Sequence, residues 1–136
     1  MIRGKFTSYA GPAITCSVSL PGLGTGTAEV TFLLDTGASF SILHPGDVAS
    51  LRVDSSLLSG LRTTTGRGIG GGASYVAVDG RLSIRHLDGN PVTYWLPLHL
   101  TERSEVNADY PSILGMDFIS YFKMCVSLND TLVELT

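Results

Sequence analysis

One acidic residue stands where an apolar strand should end. In Phe32-Leu33-Leu34-Asp35-Thr36-Gly37-Ala38-Ser39, three large apolar side chains run into a carboxylate, a hydroxyl and a glycine. A carboxylate at the end of a buried strand is partly stripped of water, which is costly unless the charge is used. So placed, it can take a proton from a water molecule as a general base. A plainer reading stays open, in which Asp35 caps its own loop as an Asx turn. Two further segments bear on the choice. Ile113-Leu114-Gly115 repeats the pattern of apolar residues stopped by a turn residue, and Gly66-Arg67-Gly68-Ile69-Gly70-Gly71-Gly72 is too flexible to be core. Other chemistry-bearing residues are sparse. Cys16 and Cys125 stand far apart in no paired motif and are expected as buried free thiols. His44, His86 and His99 lack ligand spacing, so surface or strand-edge places are expected, with no metal site and no cofactor.

The elements that must position Asp35 read as short strands separated by glycine. Ile14, Cys16, Val18 and Leu20 alternate with polar residues, and so do Ala28, Val30, Phe32 and Leu34. Joined by Pro21-Gly22-Leu23-Gly24-Thr25-Gly26, these two runs predict a hairpin that ends on Asp35. Ser41 to His44 reads as extended, and Pro45 opens a short helix to about Leu51. Tyr75–Val78 and Arg81–Leu87 read as two strands either side of Asp79-Gly80, and Val92–Leu100 as another after Asp88-Gly89-Asn90. Pro111 to Gly115 predicts a buried strand, Met116 to Phe122 one short helix, and Met124 to Leu135 a closing hairpin around Asn129-Asp130. The expected fold class is all-β, one domain over 1–136 with its core at about 13–135.

These three segments, in this order, resemble the retropepsin family of aspartic proteases. That family carries apolar residues before Asp-Thr-Gly-Ala, a glycine-rich flap hairpin, and an apolar-apolar-Gly turn before its helix. The match runs over roughly residues 13 to 135. The closing stretch, Ile113 to Leu128, is closer in style to cellular and bacterial members, such as the retropepsin domain of the DNA-damage-inducible ubiquitin-shuttle proteins. The resemblance implies a closed β-barrel half of the acid-protease fold and a homodimer in which each chain supplies one Asp35. It implies that the two carboxylates share one proton, the ionised one acting on water while the protonated one polarises the scissile carbonyl. Asp35, Thr36 and Gly37 would be catalytic, with Thr36 tying the two loops together. Ala38, Gly68, Ile69, Gly70, Gly71 and Gly72 would bind a peptide or protein substrate, the glycines as a flap over it. Viral members commonly pair an Asp at the position of Ser39 with an Arg at that of Met116. Both partners are absent here, so neither charge is left without the other.

The whole chain narrows the remaining choices. It has 136 residues, 43% apolar and 15% charged, with net charge −3. That balance argues against a nucleic-acid or anionic-membrane surface, which needs clustered Lys and Arg. No run approaches the roughly 18 apolar residues of a membrane span. Residues 1–9 lack the apolar core of a signal peptide, so a cytoplasmic protein is expected. Gly66-Arg67-Gly68-Ile69-Gly70-Gly71 formally fits a dinucleotide-binding loop, yet strand-like Ala73 to Val78 follows where a helix must begin. The loop at Asp35 also suits a phosphate loop of actin-like kinases, whose two lobes need a far longer chain. One rival survives. A retropepsin fold can serve as a dimerising or peptide-binding module without proteolysis.

Overall fold

The apolar alternation in the sequence becomes the wall of a barrel. The computed structural model describes residues 1–8, 11–24, 26–61, 63–68, 71–101, 104–105 and 107–136. Strands β1 (Ile2–Arg3) and β2 (Lys5–Thr7) lead into β3 (Gly11–Ser19). β3 pairs antiparallel with β4 (Thr27–Leu34), from Ala13 opposite Leu33 to Ser19 opposite Thr27. This register turns Ile14, Cys16 and Val18 to the same buried side as Val30, Phe32 and Leu34. Leu20 and Leu23 are also buried, anchoring the loop between the strands, and Gly24 ends its single turn at φ 61.

Beyond Asp35 come β5 (Ile42–Leu43), helix α1 (Pro45–Ser50) and a one-turn helix α2 (Ser55–Leu58). Pro45 at the first turn of α1 uses its fixed φ where no N–H is needed. The sequence gives little notice of α2, which rests on Asp54 accepting the Ser56 N–H at 3.0 Å. Strands β6 (Thr63–Gly68) and β7 (Gly71–Arg85) form a hairpin, followed by β8 (Pro91–Leu100) and β9 (Ser112–Leu114). Helix α3 (Met116–Ile119) is shorter than the expected stretch to Phe122, though Phe118 and Ile119 are buried and Phe122 packs on the core as the spacing requires. β10 (Met124–Ser127) and β11 (Leu132–Leu135) close the chain as the expected hairpin.

The barrel closes through β3, which pairs with β4 on one side and β7 on the other. Round the ring run β3, β4, β9, β5, β8 and β7, six strands with no free edge. Most neighbours are antiparallel, but β4 with β9 and β5 with β8 are parallel. A separate sheet, β1-β11-β10, packs beside it, with Ile2 and Leu135 fully buried. Among the described residues no helix is long and apolar enough to cross a membrane.

One expected break is absent. Tyr75–Val78 and Arg81–Leu87 are not two strands, because β7 runs unbroken to Arg85 with Asp79 opposite Pro97 and Gly80 opposite Leu96. Gly80 is there for space and not for a turn. A Cβ on it would lie 2.6 Å from Leu98 Cδ1 and 3.1 Å from the Leu96 carbonyl oxygen. Gly80→Ala should therefore cost about 2 kcal/mol by forcing Leu98 aside, read as a lowered denaturation midpoint. Unchanged stability would show that Leu98 has another place to go.

Two other expectations are corrected. Cys16 is buried as expected, and burial first, then the nearby Glu29 charge, pushes its thiol up to about 12. Cys125 is exposed instead, because it lies opposite Glu134 on the outer face of its sheet, while its neighbours Met124 and Val126 lie opposite buried Leu135 and Val133. His44 is also not a surface residue. It is 6% exposed, its Nδ1 lies 2.7 Å from the Pro111 carbonyl oxygen, and its backbone N–H donates to Ser112 Oγ. Ser112 in turn donates to Asp47 Oδ2 at 2.6 Å, joining α1 to β9. Burial holds the His44 imidazole below its ordinary 6.5, outweighing the opposite pulls of the Pro111 carbonyl and Asp47. The folded chain thus binds this proton less readily than the unfolded one. The stability tied to neutral His44 is fully present above 6.5 and is lost as pH falls toward the lower folded value. Denaturant unfolding at steps between pH 7.5 and 5 should show this decline in the wild type and a flatter one in His44→Asn. Parallel slopes would remove His44 as the cause.

Candidate active site

β4 delivers Asp35 to the rim of the barrel. The Asp35 N–H donates to the Leu114 carbonyl at 3.0 Å, extending the parallel β4–β9 pairing by one residue. Past it the chain turns sharply. Asp35 Oδ1 accepts the Gly37 N–H at 2.8 Å, and the Asp35 carbonyl accepts the Ala38 N–H at 3.2 Å. The Asx turn anticipated from the sequence is formed, but it engages a single acceptor site of a carboxylate that has about four. Asp35 is half-buried while Thr36 and Gly37 are exposed, so the carboxylate lies at an open surface. Local capping and chemistry are compatible here.

Gly115 closes on the same loop from the other side. A Cβ at Gly115 would lie 2.8 Å from the carbonyl oxygens of both Ala38 and Phe40, so only hydrogen fits. The adjacent Met116 N–H donates to the Ala38 carbonyl at 2.8 Å. The two strand ends, 32–34 and 112–114, therefore lie side by side and stop together, although some 80 residues separate them. Met116 and Ser39, where viral members pair two charges, are both exposed.

A clamp that the sequence reading did not single out fixes the far end of the loop. Asp117 Oδ2 accepts the Ser41 N–H at 2.9 Å, and Oδ1 accepts the Ser41 hydroxyl at 2.7 Å. Ser41 Oγ accepts the Gly115 N–H at 3.1 Å and is fully buried. The only signals available were a serine set among Phe40, Ile42 and Leu43, and an acid in the first turn of α3. Neither signal names the other, 76 positions away.

The base of the glycine-rich hairpin rests on this loop. The Phe40 ring lies 4.1 Å from His99 and meets Tyr75 edge-on at 5.5 Å, between centroids. On β6, a Cβ at Gly66 would fall 2.8 Å from Phe40 Cζ and from Tyr75 Cε2. Phe40, Tyr75 and His99 thus couple the hairpin base to the segment after Asp35. His99 Nδ1 is 3.1 Å from the Ser41 carbonyl, which can only accept, so this nitrogen carries a proton. Gly68 pairs with Gly71 and Arg67 with Gly72, while Ile69 and Gly70, two of the expected substrate-binding residues, lie outside the described residues.

A strand-end Asp-Thr-Gly loop, a second apolar-Gly run behind it and a hairpin whose base touches Phe40 invite comparison with known proteins. Residues 17–118 match a family model described as aspartyl protease. The chain belongs to the aspartyl protease family. Its fold is retropepsin-like. The crystal structure of a retropepsin-like aspartic protease from Rickettsia conorii matches with TM-score 0.56, covering 95% of this chain and 93% of that one at 20% identity. No curated protein matches.

The matched segment of this aspartyl protease family chain includes both Asp35 and Gly115. Of the expected site residues, Asp35, Thr36, Gly37 and Ala38 share one loop, and Gly68, Gly71 and Gly72 belong to the hairpin whose base touches the next residues of that loop. Among the described residues no cluster of His, Cys, Asp and Glu is suited to hold a metal ion.

Proposed function

We propose that this chain is one subunit of an aspartic endopeptidase, working as a homodimer with an Asp35 from each copy. The observation that carries the reading is the placement of Asp35, anchored by the Leu114 carbonyl and the Gly37 N–H yet open at the surface. A single carboxylate can accept a proton from water but cannot at the same moment donate one to the scissile carbonyl. Two like carboxylates at one site share a proton, and so supply both roles together. Residues 1–136 hold one Asp-Thr-Gly loop, and a second copy related by a two-fold axis would supply the other carboxylate.

In this mechanism the ionised Asp35 withdraws a proton from a water as that water attacks the peptide carbon. The protonated Asp35 hydrogen-bonds the carbonyl oxygen, where negative charge develops, and later the proton reaches the leaving amine. Thr36, exposed beside Asp35, would bind the opposite loop, and Gly37 and Ala38 would border the peptide. Gly68 to Gly72 would cover it, donating backbone N–H groups and keeping out water. The reaction needs no cofactor, and a cytoplasmic setting suits it. Digestion of a random peptide library by the purified chain, between about pH 4 and 7, is the test. Cleaved products support the reading, and an intact library across that range removes it in favour of a peptide-binding or dimerising module.

A further inference from the structure

We propose that a cleft on the outer wall of the barrel, apart from the Asp35 loop, binds a short peptide of two or three residues with both ends free. The cleft lies where the chain crosses from β1 to β2 over the outer face of β3 and β4, and Arg3, Lys5, Thr15, Glu29 and Thr31 line it. It encloses about 360 Å³, above the roughly 300 Å³ at which small-ligand sites begin. The crossing is held tightly. The Gly4 N–H donates to the Val133 carbonyl at 2.8 Å, and a Cβ on Gly4 would run into the Ala13 carbonyl.

Strand register sets out the charges. Lys5 stands opposite Ala13 of β3, and Glu29 stands opposite Ser17, four residues further along and on the other side of the strand. At about 3.3 Å per residue their backbones are at least about 13 Å apart. Among the described residues neither has an ion-pair partner, whereas Arg3 is joined to Glu134 at 2.6 Å. Glu134 takes one of several guanidinium N–H donors, and so holds Arg3 in the same wall as Lys5 with the others unspent. One end of the cleft is thus cationic and the other carries a carboxylate. Between them Thr15 and Thr31 face each other across the β3–β4 pairing, their hydroxyl oxygens 2.8 Å apart. One hydroxyl donates to the other, so the acceptor keeps its own hydrogen for a ligand.

This pattern selects the ligand. An anion alone would meet Glu29, a cation alone would meet Lys5 and Arg3, and the lining offers no aromatic ring for a sugar or a base to stack on. A zwitterion suits both ends. Less the reach of the Lys5 and Glu29 side chains, the gap fits an extended chain of two or three residues, about 7–10 Å long. A free amino acid holds its charges only about 3 Å apart and is too short. The peptide carboxylate goes to Lys5 and Arg3, its ammonium to Glu29, and a middle carbonyl takes the threonine hydrogen. Glu29 and Thr31 belong to the strand that ends on Asp35, but Val30, Phe32 and Leu34 take its buried side. The site is therefore separate from the one proposed above, and stands whether or not the chain cleaves peptides.

Trialanine titrated into the full wild-type chain, followed by backbone amide NMR shifts, is the test. Open charge pairs and so small a ligand give an expected dissociation constant of about 1 mM, with shifts centred on Lys5, Thr15, Glu29 and Thr31. Glu29→Gln and Lys5→Gln, both at exposed positions that leave the fold intact, should each weaken binding about fivefold. Trialanine acetylated at its amino end has no ammonium for Glu29, and should bind the wild type and Glu29→Gln alike. Free alanine should bind at least about fivefold more weakly than trialanine. Absence of shifts at about twentyfold above the expected constant overturns the inference. So do shifts centred on Asp35 and Gly68 instead, or equal affinity for trialanine, its doubly capped form and free alanine.

Discussion

Asp35→Asn should abolish peptide cleavage, by at least about 10³-fold, while leaving the fold in place. The asparagine carbonyl oxygen can still accept the Gly37 N–H, so the turn that Asp35 Oδ1 now closes at 2.8 Å survives. What the amide lacks is a proton that can be shared and a basic oxygen that can take one from water. The expected result is a melting temperature within about 2 °C of the wild type and no products above background. Cleavage within a few-fold of the wild type would show that the chemistry lies elsewhere.

The second large effect belongs to Gly115. Its hydrogen sits between two carbonyl oxygens of the Asp35 loop, each 2.8 Å from where a Cβ would be. Both neighbours are backbone, so neither can swing aside as a side chain would. Gly115→Ala should cost about 3 kcal/mol, lowering the melting temperature by roughly 10 °C. Because relief of the clash moves Ala38 and Phe40, the carboxylate geometry shifts, and turnover should fall about 100-fold even where the protein remains folded. Gly22→Ala is the control, since a Cβ there meets nothing within 4 Å. Equal stability of the two variants would contradict the close approach at Gly115.

Much of this arrangement was legible in local pattern, because the period of two marks a half-buried strand wherever it occurs. The β3–β4 hairpin, the closing hairpin and the end of a strand at Asp35 all follow from it. The Asx turn was equally readable from Asp35 and Gly37 alone. What could not be read were relations between distant segments. The parallel pairing of Leu34 with Leu114 leaves no mark on either strand. The same holds for Ser41 with Asp117, since a buried hydroxyl and a carboxylate gain meaning only when the fold sets them 2.7 Å apart. Gly80 misled for a physical reason. Glycine serves tight turns and tight contacts alike, and only the Leu98 side chain across the ladder distinguishes them. Cys125 was expected inside although its own strand carries the signal, since Met124 and Val126 take the inner face and leave Cys125 the outer one beside Glu134.

The central claim is that one site uses two copies of Asp35. Wild-type and Asp35→Asn chains, unfolded together and refolded at known ratios, test it most directly. If each site needs a carboxylate from both subunits, activity follows the square of the wild-type fraction, so an equal mixture retains about one quarter. If each chain is a complete enzyme, activity is proportional to that fraction and the same mixture retains about half. The account predicts the quadratic curve, and a straight line would contradict it.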